Sequence, residues 1–182
     1  MYCLWRSGIS CFNIAMIIAE NILGNSRTVT LENRRIDLLH IEWFETAKRV
    51  LRRHTEGKQE IALRFMREAP QLQQGDIVWM DEQRAVVINI QPAMAIVLRP
   101  AGMAEMAAIC YEIGNKHLPL FLEGEEVLVP FEEPLFRWLE ARGYAPVKEQ
   151  RILSNMLRSN VTPHDHGGSG SLFSKIMQLA SK

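Results

Sequence analysis

The sequence predicts an α+β chain: a small N-terminal all-β domain, then a ferredoxin-like βαββαβ domain, then a flexible C-terminal tail. Three observations carry that reading. Between residues 36 and 90, short strand-like runs alternate with turn signals and no convincing helical stretch intervenes. After Gln91-Pro92 two helical windows are set among four strands. From Ser159 the pattern stops, and Gly167-Gly168-Ser169-Gly170-Ser171 marks a linker-like composition.

The elements follow in order. The strand-like pattern begins at Met16, and the expected domain limits are 1–15 for a non-native or upstream extension, 16–92, 93–158 and 159–182. Strands are expected at 36–41, 48–54 and 60–65, the last two flanking the turn Thr55-Glu56-Gly57-Lys58. Ile61, Leu63 and Phe65 alternate with Ala62 and Arg64, the period of a half-buried strand. A second hairpin joins 76–80 to 84–90 through Asp81-Glu82-Gln83. Strand 94–99 leads to a helix on which Met103, Met106, Ala107, Cys110 and Ile113 share helical spacing. Gly114-Asn115 reads as its stop, because both residues tolerate a left-handed C′ position. A third hairpin, 118–122 to 127–129, turns at Glu123-Gly124-Glu125-Glu126. Pro134, preceded by Glu132 and Glu133, opens a second helix with Leu135, Trp138 and Leu139 inward and Gly143 as its end. Strand 147–153 closes the domain.

Composition narrows the function. Acidic and basic residues cancel to a formal charge of zero, whereas nucleic-acid binding draws on a basic surplus; no nucleic-acid partner is expected. No apolar run approaches the ~20 residues of a membrane span, so no membrane partner is expected either. Cys3, Cys11 and Cys110 form neither a disulfide framework nor a zinc knuckle, which fits a reducing compartment, the cytoplasm. The first fifteen residues lack the three-part pattern of a secretory signal.

The chemistry-bearing residues are few. His40 lies in an apolar strand, where a packed or hydrogen-bonded ring is expected. His54 sits beside a turn among arginines and reads as solvated. His117 follows the helix stop and stands at the rim of the ferredoxin-like unit. Taken alone, its position fits a structural role better than a ligand, although two copies across a two-fold axis would supply two imidazoles. His164 and His166 put two imidazoles on the tail, a weak motif alone, though imidazole suits nickel, copper and zinc. Cys110 reads as a buried, inert thiol, and Glu123, Glu125, Glu126, Glu132 and Glu133 as a solvated acidic rim. There is no phosphate loop, nucleophile elbow or HExxH zinc helix.

The stretch Ile109-Cys110-Tyr111-Glu112-Ile113-Gly114-Asn115-Lys116-His117 resembles the signature helix and turn of the urease accessory protein UreE family, which ends in Gly-Asn-Arg/Lys-His. The resemblance continues through Leu118-Pro119-Leu120 and Pro130-Phe131-Glu132, and upstream through Ile41-Glu42-Trp43-Phe44-Glu45-Thr46, covering nearly everything from Met16 to His166. It implies a protein-binding β domain, a ferredoxin-like domain that dimerises, and nickel held between two copies of the signature histidine, here His117. Tail histidines complete the coordination in that family, and His164 and His166 occupy the equivalent region. The chain departs from the family in having two tail histidines where many members carry a polyhistidine run, and glutamates in the hairpin where some carry histidines.

The resemblance therefore implies a cytoplasmic homodimeric carrier, not an enzyme. Its cargo would be Ni²⁺, with Zn²⁺ or Cu²⁺ able to bind in vitro, passed on through the urease accessory GTPase to the urease apoprotein complex. The alternative is a protein-interaction module of that assembly with no metal-carrying role of its own.

Overall fold

The computed structural model describes residues 16–66 and 70–157. The expected extension 1–15 and tail 159–182, with His164 and His166, lie outside the described residues. Within them the strands are β1 Ile17–Ala19, β2 Gly24–Asn25, β3 Arg35–Ile41, β4 Val50–His54, β5 Glu60–Arg64, β6 Asp76–Met80 and β7 Arg84–Ile90, then β8 Ala93–Leu98, β9 Phe121–Glu123, β10 Glu126–Pro130 and β11 Val147–Arg151. The helices are α1 Met103–Asn115 and α2 Glu133–Ala141. Mixed β and α structure follows an all-β first half, the predicted fold class.

The first half is two sheets facing one another, ordered β1-β5-β4 and β2-β6-β7-β3. The two predicted hairpins form, β4 with β5 and β6 with β7. Two pairings join strands far apart in sequence and are parallel: β1 with β5, and β3 with β7 along all of β3. Alternation then does the packing. Leu39 and Ile41, Ile61 and Leu63, and Val86, Ile88 and Ile90 all face the shared core.

One single-turn 3-10 helix, Trp43–Glu45, interrupts this half, where no helix was expected. Its stability comes from polar groups and not from apolar periodicity, which is why the pattern missed it. Buried Glu45 accepts the Glu42 backbone N–H at 3.1 Å, the Lys48 ammonium at 3.2 Å and the Arg53 guanidinium. Thr46 closes the turn by donating its hydroxyl to the Trp43 carbonyl at 2.7 Å. Trp43 is thereby held between two cores.

The second half is an antiparallel sheet in the order β11-β8-β10-β9, the strand order of a ferredoxin-like unit. One face, through Ile96, Leu98, Val127 and Val129, packs against Ile109 and Ile113 of α1 and Leu135 and Leu139 of α2. The other face, through Ala95, Val97, Phe121 and Leu128, packs against Leu153, Met156 and Trp43. Phe121 meets the Trp43 ring edge-on at 5.7 Å between centroids.

Two local expectations need correction. The inward stripe of α1 is Ile109 and Ile113, flanked by half-buried Met106 and Cys110, while Met103 and Ala107 face solvent. At 100° per residue Ala107 sits well over 120° from the centre of that stripe, so spacing alone misplaced it. The helix also does not stop at Gly114. It runs through Asn115, Lys116 stays right-handed, and the left-handed residue is His117 itself.

Trp43 touches both cores, so Trp43→Ala should lower unfolding free energy by about 3 kcal/mol, the range of large-to-small core changes. Phe44→Ala, removing a neighbouring ring that is mostly exposed, should change it by less than about 1 kcal/mol. Urea denaturation of both variants measures this; equal, small effects would contradict the bridging role.

Candidate metal centre

His117 is placed by the end of α1. Lys116 N–H donates to the Ile113 carbonyl at 3.1 Å and His117 N–H to the Gly114 carbonyl at 2.9 Å. The chain then reverses with His117 at φ 55°, the C′ position of a left-handed helix cap. Leu118, next in line, packs into the same core as Ile113 and locks the reversal. The result is an exposed imidazole on a folded turn, between α1 and the segment leading to β9.

Beside it lies a rim that sequence reasoning did not single out. The Lys116 ammonium sits 4.2 Å from the centroid of Trp138, and the Arg142 guanidinium 5.0 Å from the same ring. Arg142 also reaches Glu112 at 3.1 Å. These contacts tie the end of α1 to α2. No spacing rule pairs residues 116 and 138, so nothing short of the fold reveals them.

The face of α1 turned away from its own sheet is exposed and nearly uncharged: Ala104, Ala107, Ala108, Tyr111 and Gly114. Tyr111 is 70% exposed. A Cβ on Gly114 would meet nothing within 4 Å, and its backbone is helical. Nothing in the described chain therefore requires glycine there.

The last described residues return to this region. Met156 bridges Phe121 of β9, and Leu157 N–H donates to the Leu120 carbonyl at 2.7 Å. Gln71 donates its side-chain amide to the Met156 carbonyl at 3.4 Å. Leu120 is three residues from His117, so the last described residue, Leu157, is bonded to the segment that follows the cap.

The other candidates have other surroundings. His40 is exposed, and its Nδ1 accepts from the Asn89 and Gln91 amides at 2.9 and 2.8 Å, the hydrogen-bonded role expected of it. His54 is exposed, as expected, on the edge strand β4. Cys110 is half-buried where a buried thiol was expected, and burial pushes its pKa up. The acidic rim is more than solvated: Glu123, Glu126 and Glu149 engage Arg99 and Arg151 in a network of contacts between 2.6 and 2.9 Å. Among the described residues no group of three or more His, Cys, Asp or Glu stands ready to hold a metal ion.

Hydrogen bonds from Arg151 and Arg99 hold Glu126 below the ordinary glutamate value of 4.5, and those from Arg99 and Arg151 do the same for Glu149. Lowered carboxylates contribute stability in full above their unfolded-state pKa, and that contribution is lost as pH falls through the folded values. Stability should therefore decline below about pH 4.5, with a shallower decline in Glu126→Gln/Glu149→Gln. Melting temperatures between pH 3 and 7 measure it, and identical slopes would contradict it.

Residues 19–91 match the model of the UreE urease accessory protein N-terminal domain. The chain is 47% identical to the urease accessory protein UreE of Flavobacterium johnsoniae, over 91% of this chain and 99% of that one. It is 40% identical to the protein of the same name from Actinobacillus pleuropneumoniae, over 81% of each. Against that of Acetivibrio thermocellus it is 35% identical, over 84% of this chain and 99% of the other. No helix among the described residues is long and apolar enough to cross a membrane. The chain belongs to the UreE urease accessory protein family.

Proposed function

We propose that this protein is a nickel carrier for urease assembly, working in the cytoplasm as a homodimer and not as an enzyme. Two His117 imidazoles, one from each copy, hold a single Ni²⁺ near the two-fold axis, and His164 or His166 adds further donors from the tail. The observation that carries this reading is His117 standing exposed on a folded cap, where the described residues gather no group of three or more metal-ligating side chains. A second copy supplies a second imidazole. The uncharged outer face of α1, with a glycine its own fold does not need, suits close approach by that copy.

Chain geometry supports the tail donors. His164 follows Leu157 by seven residues, so an extended tail reaches up to about 25 Å from its anchor, while three residues from Leu120 to His117 span about 10 Å at most. The tail histidines are within range of the cap, though ordering them costs conformational entropy. Coordination by a few imidazoles keeps the ion exchangeable, as delivery requires. Zn²⁺ and Cu²⁺ compete for such donors in vitro. With no phosphate loop in the sequence, nucleotide control falls to a partner, the urease accessory GTPase, which would pass the ion to the urease apoprotein complex.

Calorimetric titration with Ni²⁺ tests the reading. The full-length protein should bind one tight Ni²⁺ per dimer. His117→Asn keeps a residue type at home at positive φ and should lose affinity at least a hundredfold. His164→Ala/His166→Ala should weaken binding about tenfold and keep the stoichiometry. If the tail double variant loses all binding while His117→Asn keeps it, the tail alone is the carrier. Full affinity in both variants would leave the protein-interaction module as the better account.

A further inference from the structure

The sulfur atoms of α1 stand apart from the histidine cap and suit a different ligand. Met106 and Cys110 are one helical turn apart, with Sδ and Sγ separated by 3.9 Å. Two metal–sulfur bonds of about 2.3 Å that meet at a trigonal or tetrahedral angle hold their sulfurs about 3.8–4.0 Å apart. The pair is already spaced for one ion. Met106 also lines a cavity of about 220 Å³, together with Gly102, Met103 and Glu125. An ion entering there meets the thioether before the thiol. Met103, 84% exposed, lines the same cavity and offers a third thioether.

We propose that Cys110 and Met106, with Met103 as an outer donor, form a site for a soft monovalent cation, copper(I) or its analogue silver(I). Thiolate and thioether select soft ions, whereas the imidazole of His117 suits nickel. Uptake forms a metal–sulfur bond at Cys110 and releases the thiol proton to solvent; the ion enters already monovalent, so no electron is transferred. Because burial favours the protonated thiol, affinity falls about tenfold for each pH unit lost. Cys110 and His117 are seven residues apart, about 10 Å along a helix, so the sites share no ligand. A soft ion held at the sulfurs is kept off the imidazoles meant for nickel.

The test uses full-length protein carrying Cys3→Ser and Cys11→Ser, which leaves Cys110 its single thiol. Anaerobic titration with silver(I) against a competing chelator should show one ion per chain, and loading should slow alkylation of Cys110 at least tenfold. Met106→Leu, nearly volume-conserving, keeps the thiol and should bind silver(I) at least tenfold more weakly, with Ni²⁺ affinity unchanged within twofold. Cys110→Ala should abolish silver binding at this stoichiometry. Silver affinity equal in Met106→Leu and its parent, or a silver first shell of histidine nitrogen by X-ray absorption, would overturn the proposal.

Discussion

The ferredoxin-like sheet has two apolar faces, and its own helices can cover only one of them. On the other, Ala95, Val97 and Leu128 need a lid, and Trp43 from the first half provides it together with Leu153 and Met156. Leaving such a face in water would forfeit about 25 cal/mol for each Å² of apolar surface, so docking of the first half is part of the second half's stability. Trp43 can serve because buried Glu45, satisfied by Glu42, Lys48 and Arg53, fixes the turn that carries it. An unpaired carboxylate at that depth would be strongly destabilising.

The same closure shapes the end of the domain that carries His117. Met156 takes part in the lid and in a bridge to Phe121, so the segment that seals the sheet is also the root of the tail. On the far side, α1 and α2 cover the sheet with Ile109, Ile113, Leu135 and Leu139, which turns the alanine-rich side of α1 outward. His117 lies where these constraints meet, at the end of α1, before β9, near the tail root. In the proposed carrier, the folded cap would define where the metal sits, and donors from the tail would complete its coordination.

Much of this was legible in the sequence because it is local. Alternation at Ile61, Leu63 and Phe65 gave β5, and the turn at Gly124 gave the third hairpin, since period and turn chemistry act over a few residues. The parallel partners of β1 and β3 were not legible, because pairing across dozens of residues leaves no trace in local periodicity. Trp43 read as part of a family stretch, with no hint that it joins two cores. His117 stood out by position, but residue types alone left it open between structure and ligation. Its left-handed backbone escaped notice because Gly114 and Asn115, the residues best suited to that conformation, come first and remain helical. The bond from Leu157 to Leu120 is purely tertiary, so the tail's departure point emerged only with the fold.

In the proposed reading the dimer, and not the single chain, is the unit that completes the centre. The most direct measurement is the crystal structure of the nickel-loaded full-length protein, with the metal located by its anomalous scattering. One nickel is expected between two copies of His117 related by a two-fold axis, with the outer faces of α1 in contact around it. Nickel bound by tail histidines alone, with both His117 rings in solvent, would contradict it.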